Sequence, residues 1–61
     1  MNHIGTLFQL TNPKGTICAG LVVRDGYVTF TAPILYWLRG LSMARVVNFC
    51  YMKKWNIVEV E

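Results

Sequence analysis

Apolar and polar residues alternate along the first half of the chain and recur at helical spacing along much of the second. From Ile4 to Leu10 the alternation sets Ile4, Thr6, Phe8 and Leu10 on one face and Gly5, Leu7 and Gln9 on the other, which predicts a strand with one wetter side. Thr16 to Arg24 continues in the same way, with Ile17, Ala19, Leu21 and Val23 on one face and Cys18, Gly20, Val22 and Arg24 on the other. Both of these faces are largely apolar, so the second strand is expected at the centre of a sheet. Tyr27 to Thr31 is β-branched or aromatic throughout and predicts a third strand, with Val28 and Phe30 on one face and Tyr27, Thr29 and Thr31 on the other.

The punctuation agrees with this pattern. Asn12, Pro13 and Gly15 supply a side-chain acceptor, a fixed φ and a positive φ, so Thr11–Gly15 is expected to close a hairpin. Asp25-Gly26 is the strongest turn signal in the chain, because both central residues of a type I′ turn need φ > 0 and this pair tolerates it. Pro33 suits the first turn of a short helix, capped by Thr31 or Ala32, and Gly40 suits its end.

Ser42 is placed to cap a second helix, from Met43 to about Lys54. At 3.6 residues per turn, Met43, Val46, Val47, Cys50 and Tyr51 share its buried side; Ala44, Arg45, Asn48 and Met52 lie opposite, with Phe49 at the edge. The β-propensity of Val46–Tyr51 would also allow a strand. Helix is preferred because no turn signal precedes Lys53 and Lys54, whose charges suit a helix C-terminus. Ile57 to Val60 then predicts a last strand, with Val58 and Val60 inward and Glu59 outward. The expected fold is α+β: one domain over residues 1–61, a small antiparallel sheet made of a β-meander plus a C-terminal strand, covered on one face by one or two short helices.

Composition adds a partner to this picture. The chain is 54% hydrophobic and 15% charged, against roughly 45–50% and 25% in ordinary soluble domains. A 61-residue chain has too small an interior to hide that excess, so a homo-oligomer, most simply a homodimer, or an obligate complex is expected. Phe49 and Met52 fall outside the main helical stripe and, with Trp37 and Arg45, are the candidates for contacting a partner protein.

Charge suggests a second use for the same region. The net charge is +3, and no acidic residue occurs between Asp25 and Glu59, whereas Arg39, Arg45, Lys53 and Lys54 all do. These cations, with Trp55 or Trp37 as a stacking surface, form the candidate site for nucleic acid or a nucleotide-type anion.

The chemical inventory points away from catalysis. There is no serine with a matching His and Asp, no working pair of carboxylates and no glycine-rich phosphate loop, so no catalytic residue is assigned and the chain is read as a non-enzyme. Cys18, Cys50 and a lone terminal His3 do not make a metal site, and no cofactor is expected. Both cysteines are expected as buried reduced thiols, which fits the cytoplasm. Neither a secretory leader nor a membrane span is expected, since the Gly26–Leu38 stretch is too short and is broken by Thr29, Thr31 and Pro33.

One resemblance spans roughly residues 20 to 60. Arg24-Asp25-Gly26-Tyr27-Val28, then Ala32-Pro33-Ile34 with Trp37 and Gly40, then a helix running into Lys54-Trp55-Asn56-Ile57, resembles small proteins of tailed phages and prophages. The resemblance implies a phage origin, the host cytoplasm, and a role in binding a host defence or regulatory protein or in sequestering a small host molecule. It carries no assigned functional residues.

Overall fold

The computed structural model describes residues 5–60. Its elements are β1 (Thr6–Thr11), β2 (Cys18–Arg24), β3 (Tyr27–Thr31), a 3-10 helix (Pro33–Leu38), α1 (Met43–Lys53) and β4 (Asn56–Val60). The strands form one antiparallel sheet in the order β3-β2-β1-β4, so the chain is a small α+β fold with β2 inside the sheet. The expected positions of His3 and Ile4 lie outside the described residues.

The turns form as their residues dictate. Asn12 accepts the Ile17 N–H on its side-chain oxygen at 2.9 Å and donates to the Thr16 hydroxyl at 2.8 Å, which holds Thr16 and Ile17 in the loop and delays β2 to Cys18. Asp25 and Gly26 sit at φ 54° and 84°, the pair of positive values a type I′ hairpin needs.

β3 departs from simple alternation. Val22 pairs with Phe30 but Val23 pairs with Val28, so one extra residue, Thr29, bulges out of the strand. The Thr29 hydroxyl donates back to the Val22 carbonyl at 3.4 Å. The bulge changes the phase of everything beyond it: Val28 and Thr31 are buried, whereas Phe30, expected on the face of Val28, is 60% exposed on the opposite face.

The outer edge of β3 is closed by the chain that follows. The Val28 N–H donates to Leu41 and the Val28 carbonyl accepts from Gly40, at 2.8 and 2.9 Å, and the Met43 N–H donates to Gly26 at 2.7 Å. The expected first helix is a 3-10 helix, kinked at Leu35, which lies at φ −108° and ψ 19°. Ala32 occupies its N-cap position without a side-chain cap bond, so packing of Leu35 and Leu38 into the core holds this short element.

Ser42 caps α1 by accepting the Arg45 N–H at 3.3 Å. Lys54 closes the other end in the left-handed conformation at φ 62°, and the Trp55 N–H reaches back to the Cys50 carbonyl at 2.8 Å. Residues 46–51 are therefore helical.

The buried side of α1 is rotated from the expected stripe. Val46 and Cys50 are buried with Met43 and Phe49 packed beside them, while Val47 and Tyr51 point outward. The rotation goes with Phe49, whose ring packs against both Trp37 and Trp55 and so draws its side of the helix toward the core.

β4 corrects another expectation. It pairs with β1 so that Ile57 stands beside Leu10, and Val58 and Val60 stand beside Gln9 and Leu7. Ile57 therefore packs on the core, and Val58 and Val60 lie on the outer face of the sheet. The core itself lies between the other face and the helices, built on Leu10, Leu21, Val23, Val28, Leu35, Leu38, Val46 and Cys50. Among the described residues, no buried side-chain polar atom lacks a partner.

Candidate functional site

Two surfaces stand out, one on each side of the molecule. The first is the face of the sheet that neither helix covers among the described residues. Strand pairing lines up Phe30, Val22, Leu7 and Val60, one residue from each strand, into an apolar row across the whole sheet. Adjacent strands lie about 4.8 Å apart, so these side chains are close enough to act as one surface. Val22 is half-buried, whereas Leu7 and Val60 are 43% and 39% exposed.

The next row sets Gly20 beside Gln9 and Val58. Gly20 has no side chain to fill its position, and Leu7 Cδ1 approaches to 3.4 Å of where a Cβ would stand. The result is a shallow depression of about 270 Å³ bordered by Leu7, Gln9, Cys18, Gly20 and Val60. Cys18 is exposed here, contrary to the expectation of a buried thiol, because strand alternation places it away from the helices. Its sulfur accepts from Gln9 Nε2 and from the Thr11 hydroxyl, the latter at 3.8 Å. Cys50 lies in the core on the other side of the sheet, so both thiols are free and cannot pair with each other within the chain. Of the strand residues on this face, Arg24 alone is charged.

The second surface runs along α1. A groove of about 530 Å³ is lined by Leu41, Ala44, Arg45, Asn48, Phe49, Met52 and Lys53. The structure thus brings together Arg45, Phe49 and Met52 from the expected partner-binding set and Lys53 from the expected anion-binding set. Trp37 meets Phe49 edge-on at a centroid distance of 4.8 Å, and Trp55 lies against it at 5.4 Å with a tilt of 56°. Trp37 therefore supports the groove without lining it. Trp55 is half-buried against the core, and Arg39 and Lys54 lie outside the groove.

Chemically, the groove offers two cations beside an aromatic and thioether floor, with no carboxylate or imidazole among its lining residues. Among the described residues, no group of three His, Cys, Asp or Glu side chains is placed to hold a metal, and no helix is long and apolar enough to cross a membrane. Burial pushes the Cys50 thiol above its ordinary pKa by penalising the thiolate.

Sequence reasoning did not single out Leu7, Val22, Phe30, Val58 or Val60 as a surface. The apolar second face of β2 and the absence of a cover for it were visible; the phases of β3 and β4, which complete the row, were not. No family model, curated protein or solved structure matches the chain.

Proposed function

We propose that this chain is a non-enzymatic interaction protein that self-associates through the uncovered face of its sheet, as a homodimer, and binds and blocks a partner protein with its helical side. The observation that supports this reading is the continuous row Phe30–Val22–Leu7–Val60, apolar in every strand and left in water by a fold whose helices cover only the other face. More large apolar side chains are exposed than are buried in the core, so association removes a cost that folding alone leaves. Charge favours a second copy as the occupant. Two molecules of net charge +3 repel, and the face on which Arg24 is the one charged strand residue is where they can meet with few opposing cations.

Under the phage resemblance, the partner is a host defence or regulatory protein and the setting is the host cytoplasm. A nucleic-acid role draws less support, because Trp55 is packed against Phe49 and the core, and Arg39 and Lys54 are not gathered with Arg45 and Lys53.

Sedimentation equilibrium over a range of concentrations tests the reading. The expected result is a monomer–dimer equilibrium that Val22→Lys moves to monomer while circular dichroism stays native. A wild-type chain that remains monomeric at several hundred micromolar would overturn it, and a dimer indifferent to Val22→Lys would place the contact elsewhere, such as at the outer edge of β4.

A further inference from the structure

Building on the reading of this chain as a binding module, we infer that the groove along α1 takes a short acidic amphipathic helix of the partner protein. The groove has an apolar floor, Leu41, Phe49 and Met52, and a cation toward each end, Arg45 and Lys53. Those cations stand eight positions apart on α1, which at 1.5 Å per residue is about 12 Å along the helix axis. A guest helix presents apolar anchors at i, i+3 or i+4, and i+7, a span of about 10 Å. The floor is thus as long as one such set of anchors, and carboxylates seven or eight residues apart on the guest come opposite Arg45 and Lys53.

The floor combines a rigid part with an adaptable one. Phe49 is fixed between Trp37 and Trp55, so its ring is in place before any guest arrives. Met52 is 67% exposed and unbranched, which lets it shape itself to the guest's anchors. Ala44 and Asn48 are small enough for a second backbone to come close.

Charge then selects the guest. A second copy of this chain brings Arg45 and Lys53 against themselves, with no acid between Asp25 and Glu59 to offset them. A nucleic-acid strand needs a continuous cationic track with aromatic faces beside it, whereas Trp55 is half-buried against Phe49 and neither Trp37 nor Trp55 lines the groove. An acidic helix with apolar anchors satisfies both the floor and the rim.

Fluorescence anisotropy on the full chain at physiological salt tests this. The probe is a labelled four-turn peptide with leucines at i, i+4 and i+7 and glutamates flanking them. Its comparators are the same peptide with every Glu→Lys, a leucine-free polyglutamate, and oligothymidine. The expected result is saturable binding of the acidic amphipathic peptide, with each comparator weaker by about tenfold or more, a loss of about 1.4 kcal/mol or more. The protein carrying Arg45→Glu with Lys53→Glu is expected to reverse the preference and take the lysine peptide, a gain that a misfolded variant cannot show. Equal binding of polyglutamate or oligothymidine, an unswitched preference in the double variant, or no binding at all would each overturn the inference. Failure here with the dimer intact removes only the assigned guest. Loss of the sheet-face dimer in the wild type would instead remove the broader reading.

Discussion

The uncovered sheet face and the α1 groove are both apolar, yet their charges suit them to different company. The sheet face carries Leu7, Val22, Phe30, Val58 and Val60 with Arg24 as the one charged strand residue, while the groove sets Phe49 and Met52 between Arg45 and Lys53. Hydrophobic burial is non-directional and would drive either surface against almost any apolar neighbour. Under the proposed reading, the charges beside it decide which neighbour: a near-neutral face would accept its own copy, and a cationic groove would reject its copy and favour an acidic guest. In this chain of +3 net charge, the distribution of cations therefore says more about association than their total does.

The largest effect is expected within β1, where two leucines three residues apart serve opposite faces. Leu10 is fully buried beneath the helices and Leu7 is 43% exposed on the open side. Leu10→Ala should cost about 2–5 kcal/mol of folding free energy, enough to unfold a domain this small. Leu7→Ala should leave monomer stability within about 1 kcal/mol of wild type and instead weaken self-association. Urea melts at low and high protein concentration separate the two, since only the Leu7 variant should lose the dependence of stability on concentration. Equal losses in both variants at low concentration would mean that Leu7 is working as core.

Next in size is Val22→Lys, which introduces an ammonium group in the middle of the apolar row. Burying that charge without a counter-ion at a two-fold contact should weaken dimerisation by about a hundredfold or more. The groove lies on the far side of the molecule, so peptide affinity should be unchanged. A parallel fall in both would show that the two surfaces are one site.

What could be read from the chain, and what could not, follows the same division. Asp25-Gly26 fixed the second hairpin, Ser42 fixed the start of α1, and the doubly apolar pattern of β2 placed it inside the sheet; each signal acts within a few residues of itself. The phase of β3 was misjudged because the Thr29 bulge answers to pairing with β2 and leaves no mark in a run of β-branched and aromatic residues. In β4, Val58 and Val60 outweigh Ile57 and Glu59 by hydrophobicity, yet pairing with β1 sends the valines outward, a choice made by register with a distant strand. Along α1 the 3.6-residue repeat gave the helix but could not foresee that Phe49 would sit between Trp37 and Trp55 and rotate its buried side. Arg45, Phe49, Met52 and Lys53 were thus named individually as candidates from sequence, whereas Leu41, Ala44 and Asn48 were not, and the gathering of all of them into one groove needed the tertiary structure.

A smaller effect is expected from Ser42→Ala, which should act on one surface only. Ser42 accepts the Arg45 N–H and so secures the first turn of the helix that carries the groove. Its loss should cost about 1 kcal/mol. Hydrogen exchange should rise in the first turn of α1, and peptide affinity should fall modestly, while exchange in β1 and β2 and the dimer constant stay where they are.

The smallest effect compares the two cysteines, which lie on opposite sides of the sheet. Cys18 is exposed and Cys50 is 2% exposed in the core, so an alkylating reagent should take Cys18 at once and Cys50 only when the core opens. Self-association should slow the first reaction, because Cys18 borders the depression at Gly20. Burial raises the Cys50 pKa above that of the unfolded chain, which fixes the sign of a pH effect. Below the unfolded thiol's pKa of about 8.5 both states keep the proton and Cys50 contributes no pH dependence. Above it the unfolded chain loses the proton first, binds fewer protons than the folded chain, and gains relative stability, so folding weakens as pH rises. At pH 9 this loss is bounded at about 1 kcal/mol by the unfolded thiol's own titration. Cys50→Ala should lower stability at every pH through the space it leaves, yet flatten the slope between pH 8 and 9.5. A slope that persists in the Cys50 variant would assign the alkaline loss to some other group and leave the thiol's burial without a thermodynamic signature.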